Sequence, residues 1–182
     1  LTTRNPEDLE KLLSAREGDH DAGRWLVNLH APSMVRTAWS VLGRYGGSEA
    51  DDVVQEAFIA ALTTPALPRS GDVGAWLRAI TVRKALDCMR QSSRRREQSL
   101  PASAGEAVQP VASVDILTLR TGLAKLTPTD RAILVLADLE GRSMGEVAEL
   151  LGLTRVAVKL RASRARRKLA RMLDSVNEGT AS

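Results

Sequence analysis

One stretch, Ser143 to Arg171, leaves the fewest choices of fold: SMGEVAELLGLTRVAVKLRASRARRKLAR. Ser143 can cap a helix, and Glu146 three residues on completes a capping box. Gly152 can take the left-handed conformation that stops that helix, and Thr154 is a good cap for the next. On the first helix Val147, Ala148 and Leu151 share one side. On the second, Val158, Ala162, Ala165 and Leu169 recur at helical spacing as a single stripe. The stripes can close on each other and on Leu153. The pattern predicts a helix-turn-helix.

What the second helix leaves outside carries information. Between Arg155 and Arg171 there are eight Arg or Lys residues and no Asp or Glu. With Val158 at the core centre, Lys159, Ser163, Arg164, Arg167 and Arg171 face away, and Ala157 and Leu160 sit at the N-terminal end. Phosphates need cations, and close approach to a major groove needs small side chains. A solvated basic helix is the plain alternative. The coincidence of charge with helix-turn-helix spacing favours DNA. A net charge of +4 agrees with a polyanionic partner.

The rest of the chain also reads as helix, and period-two alternation is absent. Asn5-Pro6 starts a short helix with Leu9, Leu12 and Leu13 as its apolar face, ended by Gly18. From Asp19 a second segment is anchored by Trp25, Leu26 and Leu29. Pro32 interrupts or bends it, and Met34, Val35, Ala38, Trp39 and Leu42 continue the stripe. Ser48 caps SEADDVVQEAFIAAL, whose inner face is Val53, Val54, Ala57, Phe58, Ala61 and Leu62. Its outer face carries Asp51, Asp52, Gln55 and Ile59. Favourable charge at a helix N-terminus would alone explain the two aspartates; Gln55 and Ile59 beside them favour a docking surface. Thr63 to Asp72 is a loop, with Arg69 and Ser70 as polar candidates for a small pocket.

A long basic helix follows, with Trp76, Leu77, Ile80, Ala85, Leu86 and Met89 inward and Arg78, Arg83, Lys84, Arg90, Arg94, Arg95 and Arg96 among its cations. Glu97 to Val114 is rich in Ser, Ala, Pro and Gly and reads as a linker. Asp115 to Leu126 resumes as helix. Thr127-Pro128 starts another that runs to Gly141, its apolar face being Ala132, Ile133, Val135, Leu136 and Leu139. Aromatic residues are only 3%, so aliphatic side chains must fill the core. The fold class is all-α: two small helical domains joined by a flexible linker. Cys88, the single cysteine, forms no internal disulfide and reads as a small buried hydrophobe. His20 and His30 lack partners at ligand spacing, so neither a metal nor another cofactor is expected. No apolar run reaches the length of a membrane span, which predicts no membrane insertion.

These segments, in this order, resemble an extracytoplasmic-function (group IV) sigma factor of the sigma-70 family. The first domain carries HAPSMVRTA, ADDVVQEAF and AWLRAITVRKALDCMR. The second carries LAKLTPTDRAILVLADLEGRSMGEVAELLGLTRVAVKLRASRARRKL. The strings are moderately specific alone and strongly specific in this order around a linker. The resemblance makes residues 1–96 sigma region 2, 97–114 the linker, 115–174 sigma region 4 and 175–182 a tail. It implies that Asp51, Asp52, Gln55 and Ile59 dock on the β′ clamp of RNA polymerase core, whose β flap is a second contact. It implies that Arg69, Ser70, Arg78, Arg83, Lys84 and Arg90 serve recognition and melting of the −10 promoter element. For the −35 element it places Arg155, Ala157, Lys159, Leu160 and Arg161 nearest the bases, and Arg164, Arg166 and Arg167 nearest phosphates.

Three positions depart from the family pattern. Arg83 stands where an Asn is usual, and Val156 and Leu160 where Gly and Ser are usual. Leu160 pointing outward can meet a thymine methyl or a protein partner. With no long central segment and no appended sensory domain, the resemblance implies control by a separate anti-sigma factor. It also implies a cytoplasmic protein, on the nucleoid when in holoenzyme, whose two domains move freely on their tether until core polymerase spaces them. It has no catalytic residue, since the polymerase does the chemistry. A stand-alone helix-turn-helix regulator would explain the second domain but not the acidic strip, loop and basic helix of the first. A DNA recombinase would need a nucleophile among converging catalytic groups, and no such cluster is present.

Overall fold

The computed structural model describes residues 5–43, 48–68, 72–98, 119 and 121–180, the side chains at 95–98 and 174–180 excepted. Among them every regular element is helical. Helix α1 (Pro6–Arg16) starts as its sequence predicts, with the Asn5 side chain accepting from the Glu7 amide. Helix α2 (His20–Leu42) begins on Asp19, whose carboxylate takes the amides of Ala22 and Asp21 and is held below its ordinary range chiefly by the first. It runs unbroken through Pro32. The one withheld amide is outweighed by Met34, Ala38, Val41 and Leu42, all fully buried along the same helix.

Helices α3 (Ser48–Thr63) and α4 (Val73–Gln98) pack on α2 and on each other to complete the first unit. Asp72 caps α4 by accepting from the Ala75 amide at 2.8 Å. The inner face of α3 is the one the sequence predicts. Two expected core residues face outward instead: Leu13 is 42% and Leu29 50% exposed. Each lies about 100° round the helix from an inward neighbour, Leu12 or His30, on a side that no other described helix covers.

The second unit contains α5 (Pro128–Leu134), α6 (Met144–Leu151) and α7 (Arg155–Thr180). The capping box of Ser143 and Glu146 is present, Gly152 stops α6 at φ +64°, and the Thr154 hydroxyl accepts from the Ala157 amide. Val147, Ala148, Val158, Ala162 and Ala165 are buried, as the stripes predict. The Ser143 hydroxyl holds the Glu146 carboxyl below its ordinary range.

Past α5 the helix widens into a π-type turn, Val135–Leu139. The Glu140 amide there donates five residues back, to the Val135 carbonyl at 3.0 Å. One extra residue in the turn carries Leu139 outward, to 60% exposure, and swings Glu140 in. The expected inward Leu139 is thereby corrected. Helix α4 extends through Gln98 and α7 through Thr180. Residues 99–118, and with them nearly all of the predicted linker, lie outside the described residues.

The two units do not stand apart. One apolar core runs from Leu12 of α1 to Ala162 of α7, and α2 and α4 pack against α5 and α6. Arg131 is the pin of this seam. It is 3% exposed and donates to the carbonyls of Leu123, Ala124 and Leu126 in its own unit and of Val41 in α2. Gly43 allows this on two grounds: its φ is +63°, and a Cβ there would meet the Arg131 guanidinium.

Candidate nucleic-acid and polymerase interfaces

Helix α7 divides its cations into two sets. Arg155, Lys159 and Arg164 are exposed and have no acidic partner among the described residues. Arg167 is also exposed and reaches only the Ser163 carbonyl of its own helix, at 3.4 Å. Arg161 and Arg166 are instead held within the domain. Arg161 Nε donates to Asp130 at 2.8 Å, and Arg166 grips Asp138 with two bonds of 3.0 and 2.6 Å, which raise its hold on its own proton. The reason is spatial. Both lie beside the buried stripe with Asp130 of α5 and Asp138 of its π turn facing them, whereas Arg155, equally near Val158 around the helix, faces no acid among the described residues. Of the residues expected at the −35 element, Arg161 and Arg166 are therefore the two whose side chains are engaged by the domain's own acids. Ala157 is half-buried, and Leu160 is 47% exposed.

On the first unit, the four described candidates for the −10 element lie along α4, and each has a partner. Lys84 faces Glu56 of α3 at 3.4 Å, and Arg90 pairs with Asp87 at 2.9 Å. The other two are engaged by the second unit. Arg83 Nε donates to the Leu150 carbonyl of α6 at 2.8 Å. Arg78 Nε donates to Glu140 Oε2, while Thr37 of α2 donates to Glu140 Oε1 at 3.0 Å. The Arg78 and Glu140 side chains are only 14% and 9% exposed, so this pair sits inside the seam. Arg69 and Ser70 lie outside the described residues. The start of their loop is anchored by Arg16, which donates to the carbonyls of Ala61 and Ala66 and lies 5.8 Å over the Trp76 ring. Trp76 is half-buried against the core, as the sequence predicts.

The acidic strip of α3 is open. Asp51, Asp52, Gln55 and Ile59 are all exposed on one side of the helix, with Ile59 at 55%. Asp51 lies in the first turn, where the helix dipole favours it, but Ile59 gains nothing from exposure to water.

Several working residues were beyond sequence reasoning. Glu140, Arg131 and Thr37 make the seam, yet in the sequence they are ordinary members of helices. Asp8 and His30 are both buried, with His30 Nε2 3.2 Å from Asp8 Oδ2 but not aligned as a hydrogen bond. Burial lowers the His30 pKa; the Asp8 charge opposes that shift and nearby Arg78 adds to it. At the seam a cleft of about 500 Å³ is lined by Leu42, Leu86, Cys88, Met89, Leu126 and Arg131. Cys88 is half-buried there, less enclosed than a core residue. Among the described residues no group of His, Cys, Asp and Glu is placed to hold a metal, and no helix is long and apolar enough to cross a membrane.

Comparison with known proteins accounts for both units. Residues 26–95 match the family Sigma-70 region 2, and residues 116–169 match Sigma-70, region 4. The ECF RNA polymerase sigma factor SigM of Mycobacterium tuberculosis H37Rv is 32% identical over 94% of this chain and 87% of its own length. RNA polymerase sigma factor CnrH of Cupriavidus metallidurans is 31% identical over 96% of this chain and 99% of its own. The solved structure of CnrH in complex with the cytosolic domain of CnrY superposes with a TM-score of 0.61, at 28% identity, over 93% of this chain and 98% of that one. The sigma factor RpoE of Bartonella quintana, solved in complex with the anti-sigma factor NepR, shares the fold with a TM-score of 0.65 over 83% of this chain and 96% of that one, at 22% identity. The chain belongs to the sigma-70 family of RNA polymerase sigma factors, in its ECF group, and is an alternative sigma factor that serves transcription initiation.

Proposed function

We propose that the strip of Asp51, Asp52, Gln55 and Ile59 seats this sigma factor on the β′ clamp of core polymerase, with the second unit reaching the β flap. Arg78, Arg83, Lys84 and Arg90 of α4, together with Arg69 and Ser70 of the loop before it, serve the −10 element. There, cations follow the strand and a base leaving the stack is held by protein. Helix α7 reads the −35 element. Arg155, Ala157, Lys159 and Leu160 lie towards base edges, Arg164 and Arg167 towards phosphates, and Arg161 and Arg166 brace the helix from behind. The observation that carries this reading is the division on α7. Cations beside the core are neutralised by Asp130 and Asp138, and those on the open face are left for an external polyanion.

The packed arrangement of the two units is a stored form in this reading. It engages Arg78 and Arg83 with Glu140 and Leu150, so part of the −10 surface is covered until the seam parts. The sequence-based expectation of two freely moving domains is replaced by a closed state that core polymerase opens. The solved relatives are bound to an anti-sigma factor or to a partner's cytosolic domain. An anti-sigma factor that favours the closed state would control this chain in the same manner. We place its work in the cytoplasm, on the nucleoid when in holoenzyme, and assign it no catalytic residue.

The test is run-off transcription with sigma-free bacterial core and a genomic fragment library. Discrete new start sites sharing two spaced elements support the reading. DNA binding without core, and no initiation with it, would leave a helix-turn-helix regulator in its place.

A further inference from the structure

The open face of α7 is not uniformly polar. Val156 is 76% and Leu160 47% exposed, and the two stand one turn apart within the first two turns of the helix. Taking Val158 as the direction of the core, both lie within about 20° of the opposite pole. They are the outermost side chains of that end. Exposed aliphatic groups at this place gain nothing from water, and together they offer an apolar contact to an external surface. The same face carries Arg164 and Arg167, with Lys159 at its edge, and α7 has no acid before Asp174. An aliphatic pair framed by unpaired cations is complementary to a polyanion with apolar points on it. In a DNA major groove those points are the 5-methyl groups of thymine.

We propose that Val156 and Leu160 are specificity-determining residues of this sigma factor, each taking a thymine methyl in the −35 element. The proposal rests on the assignment of α7 to that element. It makes this protein's preference at one or two positions depend on a methyl group, alongside any hydrogen-bond readout by Arg155 and Lys159. The side chains are branched, short and already directed outward, so they lose little freedom on meeting a base edge.

The experiment uses holoenzyme reconstituted from the full chain and bacterial core. The probe is a promoter duplex recovered by transcription from a library randomised across the −35 segment. Each thymidine of that segment is then replaced by deoxyuridine, which keeps the base pair and removes only the methyl. Binding should weaken about fourfold at one or two positions. Val156→Ala and Leu160→Ala should each abolish the methyl effect at one position and leave the other. Arg167→Ala should weaken thymidine and deoxyuridine probes alike. If wild-type holoenzyme binds both kinds of probe equally while Arg167→Ala weakens both, α7 is on DNA and the methyl assignment is wrong. If Arg167→Ala also has no effect, the −35 assignment of α7 fails and takes the proposal with it. If the double alanine variant loses affinity for core polymerase without DNA, the pair faces protein and the proposal is overturned. Both side chains are exposed, so the variants should retain the wild-type helical circular dichroism.

Discussion

Replacing Glu140 with alanine should open the molecule rather than unfold it. In the closed state Glu140 accepts from Arg78 and from Thr37, and its side chain is 9% exposed against 14% for Arg78. Removing the carboxylate leaves a guanidinium in the seam with its charge uncompensated, at a cost of roughly 3–5 kcal/mol. A rigid core would have to absorb that cost as lost stability. A seam need not, because Arg78 regains water once the units separate. The closing equilibrium should therefore shift by at least about a hundredfold towards the open form. The Arg83–Leu150 and Arg131–Val41 bonds and the apolar groups packed between the units are left to hold the closed form. Small-angle X-ray scattering on Glu140→Ala should show a larger radius of gyration. Thermal unfolding monitored by helical circular dichroism should change little, since the loss falls on the seam and leaves the packing within α1–α4 and within α5–α7 in place. Glu140→Gln, which can still accept from Thr37, should be intermediate. A variant as compact as wild type but with a sharply lower Tm would refute the reasoning, by showing that the pair lies inside one rigid body.

Arg167→Ala should weaken promoter binding by a similar factor at all promoters and reduce the slope of log affinity against log salt by about one. A change in preference between promoters would instead place Arg167 at a base. Asp52→Lys should lower affinity for core polymerase at least tenfold, by bringing a like charge to a cation-seeking surface, and leave thermal stability unchanged, as Asp52 is exposed. Unaltered affinity in a core-binding titration would remove α3 as the docking face. His30 provides a pH dependence. Burial lowers its pKa in the folded protein below the ordinary 6.5, so the unfolded chain takes up the proton first as pH falls. Stability is then complete above that value and declines as pH falls through it, with Asp8 and Asp72 opposing the trend and Arg78 adding to it. His30→Gln should flatten Tm between pH 7.5 and 5.5 (roughly the span in which histidine titrates) relative to wild type; identical slopes would assign the trend to other groups.

Local features were readable because each is decided within a few residues. The caps at Asn5, Thr127, Ser143 and Thr154 and the left-handed Gly152 all involve bonds spanning two to four residues, and all are present. The α3 strip and the stripes of α6 and α7 followed from helical period alone. The misjudged residues share one cause. Leu13, Leu29 and Leu139 are apolar at acceptable spacing, but their burial depends on which side of each helix its neighbours cover and, for Leu139, on an added residue in a helical turn. Arg161 and Arg166 carry the same charge as Arg164 and Arg167, and only the positions of Asp130 and Asp138 in space separate the two pairs.

By itself, then, the sequence determined that this chain is helical and that it carries a capped helix-turn-helix with a basic outer face; the order of its segments showed a resemblance to an ECF sigma factor. The first two are consequences of short-range hydrogen bonding and of period, which no distant residue alters. Only the tertiary structure decided that the two units share a seam. Arg131, Glu140 and Thr37 join groups 90 or 103 residues apart in the chain, and no local pattern encodes such a pairing. It also decided which cations of α7 remain for DNA, because a charge is free or engaged according to what the fold brings beside it.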